Sequence, residues 1–362
     1  MRPADMRNRG YIAVVGATRF VRYFILGHLA VSLPIALEAA TGSAAAAGLV
    51  LTIAGLISLA SSIAYSAAGD VIGHARGLAV VELAFALGVL SIAHLKNPWL
   101  LAVALGLGGI GTLGPGATRG AFVPLILAVV RDHSVDSTER TKSLGLINLV
   151  STAGGVLGSA AAALLPLNSA VDALYAGAAA AAAASILIAL GLRERARAVN
   201  PFAGLSGRAS EVFGYSLSQF VAGIGVGLSM PLLSLWLHSY MKLGEGTIGL
   251  LFAVGNGAFA AASLFAYKFV QTLGLVKASV VSRIISGLLL ASLPLFKNVY
   301  LFAAVYSLYN AFVGIGGAAR SSYISGIALE GSEATTPAVT NIAIRASSTP
   351  AIALSGYLIE AL

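Results

Sequence analysis

Apolar runs of about 20 residues recur from one end of the chain to the other, separated by short clusters of charged residues, Gly, Pro and Asn. A helix of that length crosses a hydrocarbon core about 30 Å thick. In lipid every backbone N–H and C=O must be satisfied within the protein, so such runs predict helices rather than open strands. Cutting them at their polar breaks gives about eleven helices, starting near residues 13, 44, 77, 99, 143, 170, 212, 247, 278, 299 and 336. The first run, from about Ala13 to Leu37, is too long for the apolar segment of a cleaved signal and is read as a span. The fourth and tenth runs are longer than a straight crossing needs, and Pro115 between Gly114 and Gly116 marks a place for a kink. The expected fold is all-α, a polytopic bundle of transmembrane helices.

Composition agrees with that pattern. Apolar residues make up 58% of the 362 and charged residues 10%, where soluble domains carry about a quarter charged residues. Membrane lipid is therefore the expected solvent. Cysteine is absent, which removes disulfides, thiolate chemistry and Cys-based metal sites. The net charge of +8 would point to nucleic acid in a soluble protein, but here it is distributed among the loops.

That distribution predicts an orientation. With the N-terminus in the cytoplasm, inner segments hold Arg2, Arg7, Arg9, Arg76, Arg131, Arg140, Lys142, Arg193, Arg195, Arg197, Arg208, Lys268 and Lys277. Outer loops then hold Lys96, Lys242 and Lys297. Basic residues resist translocation, so the excess belongs on the cytoplasmic side of a cell membrane, plasma or inner. The charge orients the chain; no nucleic-acid partner is expected.

The halves echo each other at a period of roughly 200 residues, the sign of parallel repeats related by an axis along the membrane normal. Val31-Ser32-Leu33-Pro34 answers Leu228-Ser229-Met230-Pro231, and Gly116-Ala117-Thr118-Arg119 answers Gly317-Ala318-Ala319-Arg320. Glu139 and Glu333 each precede the following helix. The polar stretch 193–211 divides a six-helix N-terminal bundle, 1–192, from a five-helix C-terminal bundle, 212–362, and reads as a cytoplasmic linker.

Two further motifs carry a family resemblance. Gly69-Asp70-Val71-Ile72-Gly73-His74-Ala75-Arg76 joins the second and third helices, and Glu139-Arg140 precedes the small-residue helix Gly154-Gly155-Val156-Leu157-Gly158. With the repeat, they resemble the major facilitator superfamily, secondary transporters built from two helical bundles. The loop keeps the family's Asp70, Gly73 and a basic residue, Arg76, and departs at Val71, His74 and Ala75. The resemblance implies a carrier of small solutes working by alternating access, with helices one, four, seven and ten along the path. It also implies that Asp70 sits near the start of the eleventh helix, where free N–H groups favour an anion. The family has twelve helices; this chain is expected to lack the twelfth, which leaves open a transport-inactive or truncated relative acting as a sensor or partner subunit.

Charged groups inside helices cost at least about 2.5–3.5 kcal/mol at mid-depth on insertion scales, so each needs a reason. Arg119, Arg320 and Arg345 fall inside the fourth, tenth and eleventh spans. They are read either as a basic lining for an anionic substrate or as partners in ion pairs with Glu82, Asp70, Glu139 or Glu333. Arg19, Arg22 and Arg283 are expected to snorkel to the inner surface. Helical spacing groups Tyr306, Tyr309, Asn310 and Arg320 on the tenth helix, Asn341, Arg345 and Ser348 on the eleventh, His28 and Ser32 on the first, and Gln219 with Gly223 on the seventh. Each stripe is a candidate cavity wall or a packing face. Glu82 is the candidate for proton coupling; a static pair with Arg76 is the alternative. No phosphate-binding loop occurs and the five histidines lack metalloprotease spacing, so neither an ATP-driven pump nor an intramembrane enzyme is expected, and no cofactor or metal is implied. Oligomeric state is left open.

Overall fold

A computed structural model describes residues 3–111, 122–133, 137–165, 171–192, 209–327 and 335–361. They form helices α1 (Pro3–Thr41), α2 (Ala44–Ile72), α3 (His74–His94), α4 (Pro98–Leu107), α5 (Val123–His133), α6 (Ser137–Ala161) and α7 (Val171–Gly191). The C-terminal set is α8 (Ala209–Ser229), α9 (Leu233–Ser239), α10 (Glu245–Leu264), α11 (Ala266–Leu273), α12 (Leu275–Ser292), α13 (Val299–Ile327) and α14 (Thr335–Ala361). Among the described residues, nine helical stretches are long and apolar enough to cross a membrane, and Pro98–Leu107 and Leu146–Ala161 are shorter apolar helices. No strand occurs among the described residues.

Local chemistry sets the boundaries. Asn97 caps α4 by accepting from the N–H groups of Trp99 and Leu100, with Pro98 in the first turn. The helix ends at Gly108, and Gly109 at φ 72° turns the chain. The fourth run is thus broken after Leu107; Pro115, proposed as its kink, lies outside the described residues. The tenth run is a single helix, α13, of 29 residues. At about 44 Å it exceeds the hydrocarbon thickness. Pro34 is accommodated inside α1, whereas Pro231 falls in the break between α8 and α9. A proline cannot donate to the preceding turn and crowds its carbonyl, and the two equivalent positions resolve that conflict differently.

Within the N-terminal helices, α1 packs along α6, α3 along α7 and α2 along α4; among the C-terminal ones, α8 packs on α14 and α13 on both α10 and α12. Missing side chains allow the closest approaches. A methyl group on Gly27 would sit 2.5 Å from the Gly155 carbonyl, and one on Gly154 or Gly158 would overlap the carbonyls of Phe20 or Phe24. Small residues replace the absent hydrophobic drive with backbone proximity and dispersion.

The repeat recurs in the caps. Gly73 (φ 102°) joins α2 to α3 and bonds back to Gly69, and Gly274 (φ 76°) joins α11 to α12 and bonds back to Val270. Asn298 accepts from Tyr300 and Leu301 as Asn97 does from Trp99 and Leu100. The segments Leu95-Lys96-Asn97-Pro98-Trp99-Leu100 and Phe296-Lys297-Asn298-Val299-Tyr300-Leu301 match in that register.

The two sets of helices meet mainly toward the end of the bundle carrying Thr41, Leu165 and Ala361, the outer end in the orientation expected from the basic residues. There Val31 and Ile35 of α1 pack with Met230, Leu233 and Leu237. Gly48 of α2 fits against Ile352 and Gly356 of α14, and Thr52 Oγ1 donates to the Thr349 carbonyl at 3.1 Å. Gly249 of α10 fits against Ser159 and Ala163 of α6 and its extension, and Asn256 Nδ2 donates to Ser159 Oγ at 3.2 Å.

Candidate functional site

Two polar bridges lie at corresponding places in the two halves. In the first, Arg22 of α1 and Glu82 of α3 are 0% and 1% exposed and approach to 3.1 Å, Nη1 to Oε2. Arg22 Nη2 donates to the Gly108 carbonyl at 3.3 Å, and its guanidinium carbon lies 4.1 Å from the ring centroids of both Phe85 and Phe122. One turn earlier, Arg19 Nε donates to Ser151 Oγ at 2.9 Å and Nη2 to the Tyr23 hydroxyl at 3.1 Å. These arginines therefore do not snorkel. The three-residue step between them puts both on the face of α1 turned into the bundle, where a carboxylate, hydroxyls and aromatic faces replace water.

In the second bridge, Arg283 of α12 donates to the Ser218 carbonyl (3.1 Å) and Ser218 Oγ (3.0 Å) of α8, and to Gln219 Oε1. Arg283 also departs from the snorkelling expectation, because its fork finds acceptors on the neighbouring helix. Arg22 and Gln219 are roughly 200 residues apart, as are Glu82 and Arg283, so the same pair of repeat positions is bridged twice, with the arginine on opposite members. Glu82 meets Arg22 and not Arg76, which lies exposed at the start of α3. The contact is ionic rather than an aligned hydrogen bond, and Glu82 Oε1 has no hydrogen-bond partner among the described residues.

The other candidates fall apart into separate environments. His28 Nε2 bonds to the Leu165 carbonyl at 2.7 Å and Nδ1 to Ser32 Oγ at 3.2 Å, so its ring faces the end of α6 within the N-terminal half. Tyr309 and Asn310 are buried; Asn310 donates back to the Tyr306 carbonyl at 2.9 Å, and both Tyr306 and Asn310 pack on Gly255 of α10. Tyr306 also stacks with Phe252, Phe302 and Tyr309. Arg345 and Ser348 are buried on α14 while Asn341 is half-buried. The guanidinium of Arg320 folds over Gly316 beside Ser282 of α12. Gly73 forms the α2–α3 corner described above. Arg119, Glu333 and the linker through residue 208 lie outside the described residues, as do the side chains of Asp70 and Glu139.

The sequence reading missed the polar contacts across the two halves: Ser43 and Ala45 with Glu360, Thr52 with Thr349, and Ser159 with Asn256. It also missed the paired Lys-Asn caps at Asn97 and Asn298, a repeat signal plainly visible in the residues. Among the described residues no cluster of His, Asp or Glu could hold a metal ion.

The family model of the Major Facilitator Superfamily matches residues 15–211, more than half of the chain. The chain belongs to the Major Facilitator Superfamily. As a superfamily member it is a multi-pass membrane protein and a transporter of small solutes, not an enzyme. Solved structures with the same fold include the human organic anion transporter, at 17% identity and a TM-score of 0.74 over 100% of this chain and 95% of that one. A nucleoside transporter aligns at 13% identity and a TM-score of 0.70, over 97% of this chain and 91% of that one. A bacterial homologue of the human lysosomal transporter Spinster, in an inward-facing and unoccupied conformation, aligns at 14% and 0.68, over 96% and 82%. No curated protein matches the chain in sequence.

Proposed function

We propose that this superfamily member carries a small anionic solute by alternating access, its N-terminal bundle (1–192) and C-terminal bundle (212–362) rocking about a path between them, with 193–211 as a cytoplasmic linker. The observation that supports the rocking is the one-sided seam: the close approaches of α2 to α14, α6 to α10 and α1 to α9 gather toward one end. A structure closed at one end is half of an alternating cycle. In the reading adopted here that end is extracellular, the N-terminus is cytoplasmic and the protein resides in the cell membrane, as the basic inner segments favour.

The anionic preference follows from buried charge. Among the described residues the buried ionisable groups of fixed charge are Arg19, Arg22 and Arg345 against Glu82, an excess of cations in a low-dielectric interior. Arg345 on α14 is the described arginine we assign to attraction of the solute, with Arg119 and Arg320 as the paired positions on the fourth and tenth spans. Glu82 is the carboxylate we assign to proton coupling. Its protonation would release Arg22, so the pair can trade a proton for a change in α1–α3 packing.

Purified protein in liposomes, offered labelled anionic, neutral and cationic solutes with and without an imposed proton gradient, tests both parts. Saturable anion flux reduced at least tenfold in Arg345→Ala supports the anionic reading; flux of a neutral or cationic solute overturns it. Loss of gradient-driven accumulation in Glu82→Gln with exchange retained supports the coupling role, and unchanged accumulation removes it.

A further inference from the structure

A cavity of about 380 Å³ opens inside the N-terminal half, between α1, α3, α6 and α7. Its volume falls in the range of small-molecule sites, about 300–1,000 Å³. The lining is aliphatic and aromatic: Phe20, Phe24 and Leu29 of α1, Val89 of α3, and Leu174 and Gly177 of α7 represent it. Among the described residues His28 is the one polar side chain on the wall. Both of its ring nitrogens are already engaged, one by the Leu165 carbonyl and the other by Ser32.

The mouth faces sideways. Helices α6 and α7 each pack on α1, yet they diverge from one another, and Phe24, Leu165, Ala173 and Ala176 at the rim are exposed. The rim therefore looks out at the level of the membrane-spanning helices, where the surrounding medium is hydrocarbon.

We infer that this crevice is a lipid site that takes one acyl chain of a bilayer phospholipid. Three observations fix the occupant. Among the described residues the wall offers no free hydrogen-bonding side chain, so a polar solute entering it would leave its own groups unsatisfied at a cost of several kcal/mol. A polymethylene chain makes no such demand. A helix from a second protein, about 10–12 Å across, is too thick for a cavity of this volume, whereas a flexible chain entering from the side fills it at the depth where such chains already lie. The site is distinct from the seam in its lining: the residues of its wall all belong to the N-terminal half, whereas α1 meets Met230, Leu233 and Leu237 through Val31 and Ile35, further along the helix.

The test uses the full chain in nanodiscs containing a phosphatidylcholine with a photoactivatable diazirine at mid-chain, read by mass spectrometry of the labelled peptides. Adducts should concentrate in peptides covering 20–29, 161–165 and 173–180, at least fivefold above those from the lipid-facing residues Val280, Ile284 and Leu288 of α12. Ala176→Phe and Ala180→Phe, each placing a ring in the crevice, should each reduce those adducts at least fivefold and leave the α12 adducts unchanged. Either variant suffices if the other does not fold. Uniform labelling, or labelling that persists in a folded filled variant, would overturn the site, as would protection of the crevice by a second copy of the chain when two are placed in one nanodisc.

Discussion

Glu360 near the end of α14 reaches across the bundle to Ser43 at the start of α2: its Oε2 accepts from Ser43 Oγ at 2.5 Å and from the Ala45 N–H at 3.0 Å. A helix start leaves N–H groups without intrahelical partners and carries partial positive charge, so a carboxylate is well placed there. Ser43 caps α2 from within its own chain segment by accepting from Ala46, and Glu360 satisfies the next donor from the opposite half. The cap of one helix is thereby made dependent on contact between the halves.

Removing that cap should loosen the seam. Loss of a capping side chain leaves helix-start N–H groups to water and weakens the helix start. Because the chain has no cysteine, Thr52→Cys provides a single reporter beneath the Glu360 contact. Its modification rate by a membrane-impermeant thiol reagent should rise in Glu360→Ala. An unchanged rate would mean that the contact does not hold the seam.

The Arg22–Glu82 bridge should behave as a unit. Removing one member of a buried pair leaves an uncompensated charge and costs about 3–5 kcal/mol, whereas replacing both with apolar residues of similar volume is often neutral. Glu82→Leu is therefore expected to lower the thermal midpoint strongly, and Arg22→Met with Glu82→Leu to recover most of the loss. If the double variant falls by the sum of the two single losses, the residues are not coupled.

Glycines of the same span type should divide by their surroundings. Gly158 lies against the Phe24 carbonyl, and Gly225 has nothing within 4 Å of where a methyl would project. Gly158→Ala should destabilise the protein by about 1–3 kcal/mol through overpacking of α1 on α6. Gly225→Ala should be neutral or slightly stabilising, since alanine favours helix by about 1 kcal/mol over glycine. Equal effects on thermal unfolding would contradict the close α1–α6 contact.

Helix positions were legible because lipid imposes a single requirement, apolar length, on each span. The expected starts near 44, 99, 247 and 299 lie within a few residues of Ala44, Pro98, Glu245 and Val299. Side-chain partners were less legible. Spacing from a helix end places Arg22 near enough to the surface to snorkel, but whether it turns outward or inward depends on α3 and α5, which bring Glu82, Phe85 and Phe122 to it. In the sequence Glu82 stands as a proton-coupling candidate or a static partner of Arg76; Arg76 is on an exposed face of the same helix, and the true partner is on another. Helical spacing groups Gln219 with Gly223 as a candidate cavity wall or packing face, but the arginine that holds it comes from α12. The contact of Glu360 with Ser43 spans almost the whole chain, and only the folded bundle brings them together.

The central claim, that the halves must part at this seam for a solute to cross, is tested most directly by tying Ser159 of α6 to Asn256 of α10, whose side chains already touch at 3.2 Å. Ser159→Cys with Asn256→Cys, oxidised in proteoliposomes, should abolish flux of the solute found in the panel and regain it on reduction, with each single variant active. Undiminished flux through fully crosslinked protein would contradict alternating access between these two halves.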